Sequence, residues 1–223
     1  MKHAIAFAAA LLAQPAAACE VELILAMDVS RSVTNAEFRM QMGGLAAAFR
    51  DPAVKDAIRW AEGGIMTTVT QWSGPDTQLQ SIGWTAIRTD AEADSFAEAV
   101  ATQRRKFFAA YTAPGDALLH AAALSRQNPT PCQRKVIDLS GDGAGNRGTP
   151  ARQVADELIN NGYTINGLAI LGAVPDPLSY YATEVIGGAG AFVEVAEGFE
   201  DYSRAIRQKI LRELAPGFAG LWE

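Results

Sequence analysis

The chain has 223 residues, 49% of them hydrophobic and 20% charged, and a net charge of −6. That size fits one domain of common dimensions, and the acidic balance, with Arg104-Arg105-Lys106 as its one basic run, excludes nucleic acid as a partner. Of the two histidines, His3 lies in the expected leader, so His120 alone remains, which removes most zinc sites and any multi-histidine active site.

The first residues carry a short positive start at Lys2 and His3, an apolar stretch from Ile5 to Leu12 too short to span a bilayer, and a small-residue cleavage site at Ala16-Ala17-Ala18. This predicts a signal peptide over residues 1–18, a mature domain over 19–223, and a secreted protein, periplasmic or extracellular. No later segment reads as transmembrane. Cys19 at the new N-terminus raises lipid attachment, but a lipid box places Leu where this chain has Ala16, so simple secretion is the reading adopted.

Val21 to Met27 is a near-continuous apolar run of the kind buried on both faces of a parallel sheet. Thr34 to Glu37 forms a capping box, with Phe38, Met42, Leu45 and Phe49 following at helical spacing. Gly63-Gly64 precedes a strand over Ile65 to Trp72. A turn signal at Ser73 to Asp76 then returns the chain over Gln78 to Ile87 as an antiparallel edge hairpin. A second capping box at Thr89 to Glu92 opens a helix expected to run to about Phe107, with the basic triplet on its solvated face. Further elements are a helix from Pro114, a strand over Val136 to Leu139, a helix from Thr149-Pro150 to Asn161-Gly162, and a strand over Tyr163 to Leu171. A short helix over Pro177 to Ile186, a strand over Ala191 to Val195, and a long C-terminal helix through Tyr202, Ile206, Ile210 and Leu214 complete the chain. Strand–helix alternation with buried-type strands predicts an α/β doubly wound sheet, mostly parallel, with one antiparallel edge strand and helices on both faces.

The two cysteines each sit just before an apolar run, and Cys19 precedes Asp28 by almost the interval at which Cys132 precedes Asp142. If those runs are neighbouring parallel strands, both cysteines lie at one end of the sheet. A Cys19–Cys132 bridge is expected.

In open α/β sheets, ligands bind beyond the carboxyl ends of the strands. Three segments converge there: Asp28-Val29-Ser30-Arg31-Ser32, Thr112 just ahead of a helix, and Asp142 after a central strand. Oxygen-only side chains in that arrangement suit a hard divalent cation. Asp138 and Ser140 share strand parity with Asp142. Two readings of Asp138 stand side by side: a carboxylate orienting water or hydroxyls near the ion, and a structural carboxylate satisfied by backbone. Arg31 and Asn146 lie beside the predicted site and read as solvent-exposed before ligand contacts; Asp116 and His120, one helical turn apart, read as a helix-surface interaction before an acid–base pair, and Trp72 as core before contact.

At these residues the chain resembles the von Willebrand factor type A domain family, and more narrowly a branch of small secreted bacterial proteins, of unknown function, that carry this domain alone. The family's metal-ion-dependent adhesion site is Asp-x-Ser-x-Ser, a threonine from a second loop and an aspartate from a third. Asp28, Ser30 and Ser32 match the first element, Thr112 the second and Asp142 the third. The resemblance covers essentially the whole mature chain. It implies a Mg²⁺ site (Mn²⁺ possible) in a monomeric module that is not an enzyme, whose unidentified protein partner supplies an Asp or Glu carboxylate to the ion.

Two alternatives remain open. Asp28 with Gly141-Asp142-Gly143-Ala144-Gly145-Asn146 loosely matches a haloacid dehalogenase-like, Mg²⁺-dependent phosphatase, but Ser30 stands where such enzymes carry a general acid, and Asn146 replaces their last aspartate. A metal-free structural or interaction domain is the other.

Overall fold

The computed structural model describes residues 18–108 and 111–214; apart from Ala18, the expected signal peptide lies outside the described residues. β1 (Cys19–Asp28) is the spine of the sheet. Side chains alternate across a strand, so Val21, Leu23, Leu25 and Met27 enter one core while Ile24 and Ala26 enter the other. α1 (Asn35–Arg50) and α3 (Asp90–Ala101) begin at the expected capping boxes, where Thr34 and Thr89 accept from the amides of Glu37 and Glu92. Between them come α2 (Pro52–Trp60), β2 (Ile65–Trp72) and β3 (Gln78–Ile87).

The second half comprises α4 (Pro114–Ser125), β4 (Cys132–Gly141), α5 (Ala151–Asn160), β5 (Tyr163–Ile170), α6 (Pro177–Tyr180), β6 (Val193–Ala196) and α7 (Tyr202–Leu214). α6 runs directly into a π-helical turn, Tyr181–Val185. The sheet order is β3-β2-β1-β4-β5-β6, parallel throughout except for antiparallel β3 at one edge. Residues of α1, α2, α3 and α7 pack on one face, and those of α4, α5 and the π turn on the other. The doubly wound expectation therefore holds.

Two sequence expectations need correction. α2 was not anticipated; Asp51 caps it by accepting from the amides of Ala53 and Val54, with Pro52 in the first turn. The helix expected to reach Phe107 ends at Ala101, and residues 103–108 carry no regular secondary structure. Tertiary contacts override local propensity there. The Gln71 amide donates to Arg104 O and accepts from Lys106 N, and Arg105 reaches back to the β1 end. The basic triplet is thus not a helix face.

Cys19 and Cys132 are register partners across β1 and β4, their Cα atoms 4.5 Å apart, and they form a disulfide. Beneath the far half of β4, α7 inserts a wholly buried cation. Lys209 Nζ lies 2.9 Å from Asp138 Oδ2 and 2.5 Å from Glu213 Oε1, and Asn166 Nδ2 donates to that Glu213 oxygen. Asp138 Oδ1 accepts from Ser140 Oγ. Neither reading of Asp138 anticipated this partner, because Lys209 is far along the chain and only the fold brings it beneath β4.

Two stability predictions follow from these contacts. Closing a loop of 113 residues stabilises by up to about 4–5 kcal/mol in the chain-entropy model. Reductant, or Cys132→Ser, should therefore lower the thermal midpoint by several degrees; equal melting with and without reductant would refute a stabilising bridge. Lys209→Ala leaves Asp138 and Glu213 buried without their cation and should cost about 3–5 kcal/mol in urea unfolding.

Candidate metal centre

β1 ends at Asp28, whose side chain has the parity of Ile24 and Ala26 and enters the α4/α5 core wholly buried. Asp28 Oδ1 accepts from Ser30 N at 2.7 Å, folding the following loop back over the strand end. Ser30 Oγ lies 3.2 Å from Ser32 Oγ, which donates to Asp142 Oδ1 at 2.8 Å. The loops after β1 and β4 are thereby joined through one chain of side-chain oxygens.

Asp28 Oδ2 is buried and has no hydrogen-bond partner among the described residues. Gly141 permits the close approach. A Cβ there would sit 2.9 Å from Asp28 Oδ2 and 2.5 Å from Tyr181 Oη, so both polar atoms crowd the glycine. Tyr181, on the π turn, is fully buried, and its hydroxyl likewise lacks a partner among the described residues. π turns often mark functional sites because they re-aim a side chain within a helix. Burial, followed by the charge of Asp28, raises the Tyr181 phenol well above its ordinary value, so it is neutral.

Thr112 is almost buried and precedes α4. Asn146 holds it from the loop after β4: Thr112 N donates to Asn146 Oδ1 at 3.0 Å, and Asn146 N donates to Thr112 O at 2.9 Å. Ala113 N donates to Ser73 O beyond β2. Arg105 donates to Val29 O at 3.0 Å and to Ser30 O at 2.7 Å, clamping the loop of Ser30 from outside.

Asp28, Ser30, Ser32 and Asp142 thus form one linked group, and Thr112 is tied to the same rim through Asn146. Asp138 belongs to the Lys209 cluster and not to this group. Ser140 touches Asp138, also away from it. Sequence reasoning put Asn146 beside the site but missed its bonds to Thr112, and it missed Arg105, Gly141 and Tyr181; a glycine directly before Asp142 was the available signal. Trp72 is core, as expected, and Asp116 accepts from Thr149 N instead of serving His120.

Burial, followed by the nearby charge of Asp142, raises the Asp28 carboxyl to about 7. Burial also raises Asp142, against the opposing bond from Ser32. Two carboxylates strained toward neutrality, one with an orphaned oxygen, beside hydroxyl lone pairs are a donor set that fits a hard divalent cation. A cleft of about 290 Å³ opens over Ser32 and Asp142, lined also by Glu37, Leu171, Gly172, Ala173 and Phe199.

Residues 18–218 match the family described as protein of unknown function (DUF1194), and the chain belongs to it. No curated protein matches the chain by sequence. Among similar solved structures is proximal thread matrix protein 1 from the mussel byssus with a zinc-occupied MIDAS motif, at 16% identity and TM-score 0.62; the match covers 87% of this chain and 45% of that one. The chain thus spans less than half the length of that mussel protein. The vWF domain of the type V pili tip protein Mfa5 from Porphyromonas gingivalis aligns at 13% identity and TM-score 0.60, over 89% of this chain and 97% of that one. Manganese-loaded TRAP protein from Plasmodium vivax aligns at 15% identity and TM-score 0.55, over 87% and 74%. The fold is that of the von Willebrand factor type A domain.

The raised Asp28 carboxyl gives a pH prediction. Between its ordinary value of 3.8 and about 7, the folded metal-free protein holds a proton that the unfolded chain has released. Its contribution to stability therefore falls as pH rises, by up to about 1.4 kcal/mol per pH unit inside that window. Burial raises Glu213 to about 7 as well, so the quantity to measure is the difference from Asp28→Asn. In chelator, urea unfolding of wild type should lose stability from pH 5 to 7 more steeply than the variant; parallel slopes would refute the shift.

Proposed function

We propose that this chain is a secreted, divalent-metal-dependent protein-recognition module. Asp28, Ser30, Ser32, Thr112 and Asp142 hold the ion directly or through water, and Mg²⁺ is the resident cation, with Mn²⁺ able to replace it. The observation that carries the reading is the orphaned, buried Asp28 Oδ2 beside Asp142. Two desolvated carboxylates in one site are costly unless a cation offsets them. Serine and threonine hydroxyls complete an oxygen-only set, and Mg²⁺ keeps several of its waters, so an all-protein cage is not needed.

Exchange of one such water for an Asp or Glu carboxylate of a partner protein gives cation-bridged recognition. Several structural neighbours support this reading by what their names state: a zinc-occupied motif, a manganese-loaded protein and a pilus tip protein. Among the described residues no helix is long and apolar enough to cross a membrane. We place the mature domain, residues 19–223, outside the cytoplasm as a monomer, and the disulfide supports that location. The burial of Asp28 supports recognition over turnover, since a phosphatase nucleophile must reach its substrate, and Ser30 offers no general acid.

Calorimetric titration of Mg²⁺ and of Mn²⁺ into the chelator-treated chain should give saturable one-site binding. Asp142→Ala, which removes a holder from the site's outer edge, should weaken that binding at least about tenfold while circular dichroism stays unchanged. Normal metal binding by the variant would overturn the site.

A further inference from the structure

The chain is acidic overall, yet its basic triplet lies on the rim of the candidate metal centre. Burial alternates along residues 104–108: Arg105 turns inward to Val29 O and Ser30 O, while Arg104, Lys106 and Phe108 are exposed. Phe108 is 66% exposed, and the Arg105 guanidinium stacks on it with 4.6 Å to the ring centroid. Across the rim the arrangement repeats: Tyr111 is 45% exposed, with Arg147 over its ring at 4.6 Å. Asp28 and then Glu37 of α1 are the acidic side chains that act on Arg105, and Glu37 acts on Asp142 as well.

We infer that this rim, formed by Arg104, Lys106 and Phe108 on one side and Tyr111 and Arg147 on the other, docks an acidic, apolar-bearing segment of a partner protein whose carboxylate reaches the ion. The inference rests on the metal-bridged reading and specifies the partner's chemistry. Charge complementarity selects the occupant. Exposed cations beside a carboxylate-binding ion favour further acidic residues flanking the first, and the exposed rings favour a bulky apolar neighbour. A polyphosphate strand would also meet the cations, but it would bring its charge against Asp28, Asp142 and Glu37 without supplying the carboxylate.

The test is selection of a displayed random dodecapeptide library on the immobilised full chain in Mg²⁺. Affinities of the selected peptides are then measured for wild type, Arg104→Ala/Lys106→Ala and Phe108→Ala/Tyr111→Ala. Enriched peptides should carry at least two acidic residues and a large apolar one. Binding should fall about tenfold in the cation variant and about threefold to fivefold in the ring variant, with Mg²⁺ affinity unchanged in both. No enrichment, peptides without acidic residues, equal binding by the variants, or stronger competition by an oligodeoxynucleotide than by a glutamate-bearing peptide would each overturn the inference. Acidic peptides that bind equally well in chelator but are lost in the cation variant would uphold the rim and overturn the metal bridge instead.

Discussion

The parallel pairing of β1 with β4 is the constraint on which the rest depends. Once Met27 lies beside Ser140, the two strands end together, and the aspartates that follow, Asp28 and Asp142, must share one small volume. Like charges in a desolvated site repel, and the raised Asp28 and Asp142 carboxyls record that cost. Some of it is offset locally, by Ser30 N on Asp28 and Ser32 Oγ on Asp142. The remainder is stored as an oxygen without a partner. The same pairing, read at the opposite end of the strands, places Cys19 on Cys132. One register thus fixes both the covalent clasp at the bottom of the sheet and the oxygen cluster at its top.

How much of this was legible before the fold was known depends on the range of the interactions. Local rules worked where the contacts are local. The capping boxes at Thr34 and Thr89 opened helices where expected, and the buried-type runs became the central strands. The disulfide was legible because parallel register turns equal intervals along the sequence into adjacency. The Asp28, Ser30, Ser32 and Asp142 cluster was legible because each residue ends a strand or follows one. Reading failed where distant side chains decide the outcome. Gln71 holds residues 104–106 out of the helix, although the sequence there reads as helix. Lys209 claims Asp138, and no pattern within β4 announces a lysine from α7. Asn146 is solvent-exposed loop, as read, but the two bonds by which it ties the Thr112 segment to the loop after β4 were not legible.

The β4 strand illustrates how one element serves two unrelated electrostatic tasks. Val136 faces the α1/α7 core while Ile137 and Leu139 face the α4/α5 core, so Asp138 and Ser140 fall on the α7 side by alternation. There Lys209 of α7 lies against both buried Asp138 and Glu213. Past Gly141 the strand ends, alternation ceases to apply, and Asp142 turns toward the loop of Ser32. Parity arguments that grouped Asp138 with Asp142 overlooked the strand end between them.

Seen in section, the charge at the sheet's carboxyl edge is layered. Innermost is Asp28, anionic by nature but held near neutrality by burial; next are the serine hydroxyls and Asp142; outermost are the guanidinium groups of Arg105 and Arg147. An anionic well inside a cationic rim is frustrated when empty, because the well lacks a cation and the rim lacks anions. A small divalent ion resolves the inner layer only. With its carboxylates offset, the well no longer opposes the field of the rim, and a partner carboxylate would meet less repulsion there than at the empty site. On the proposed reading metal and partner would then be coupled by electrostatics, each lowering the free energy of adding the other by the same amount.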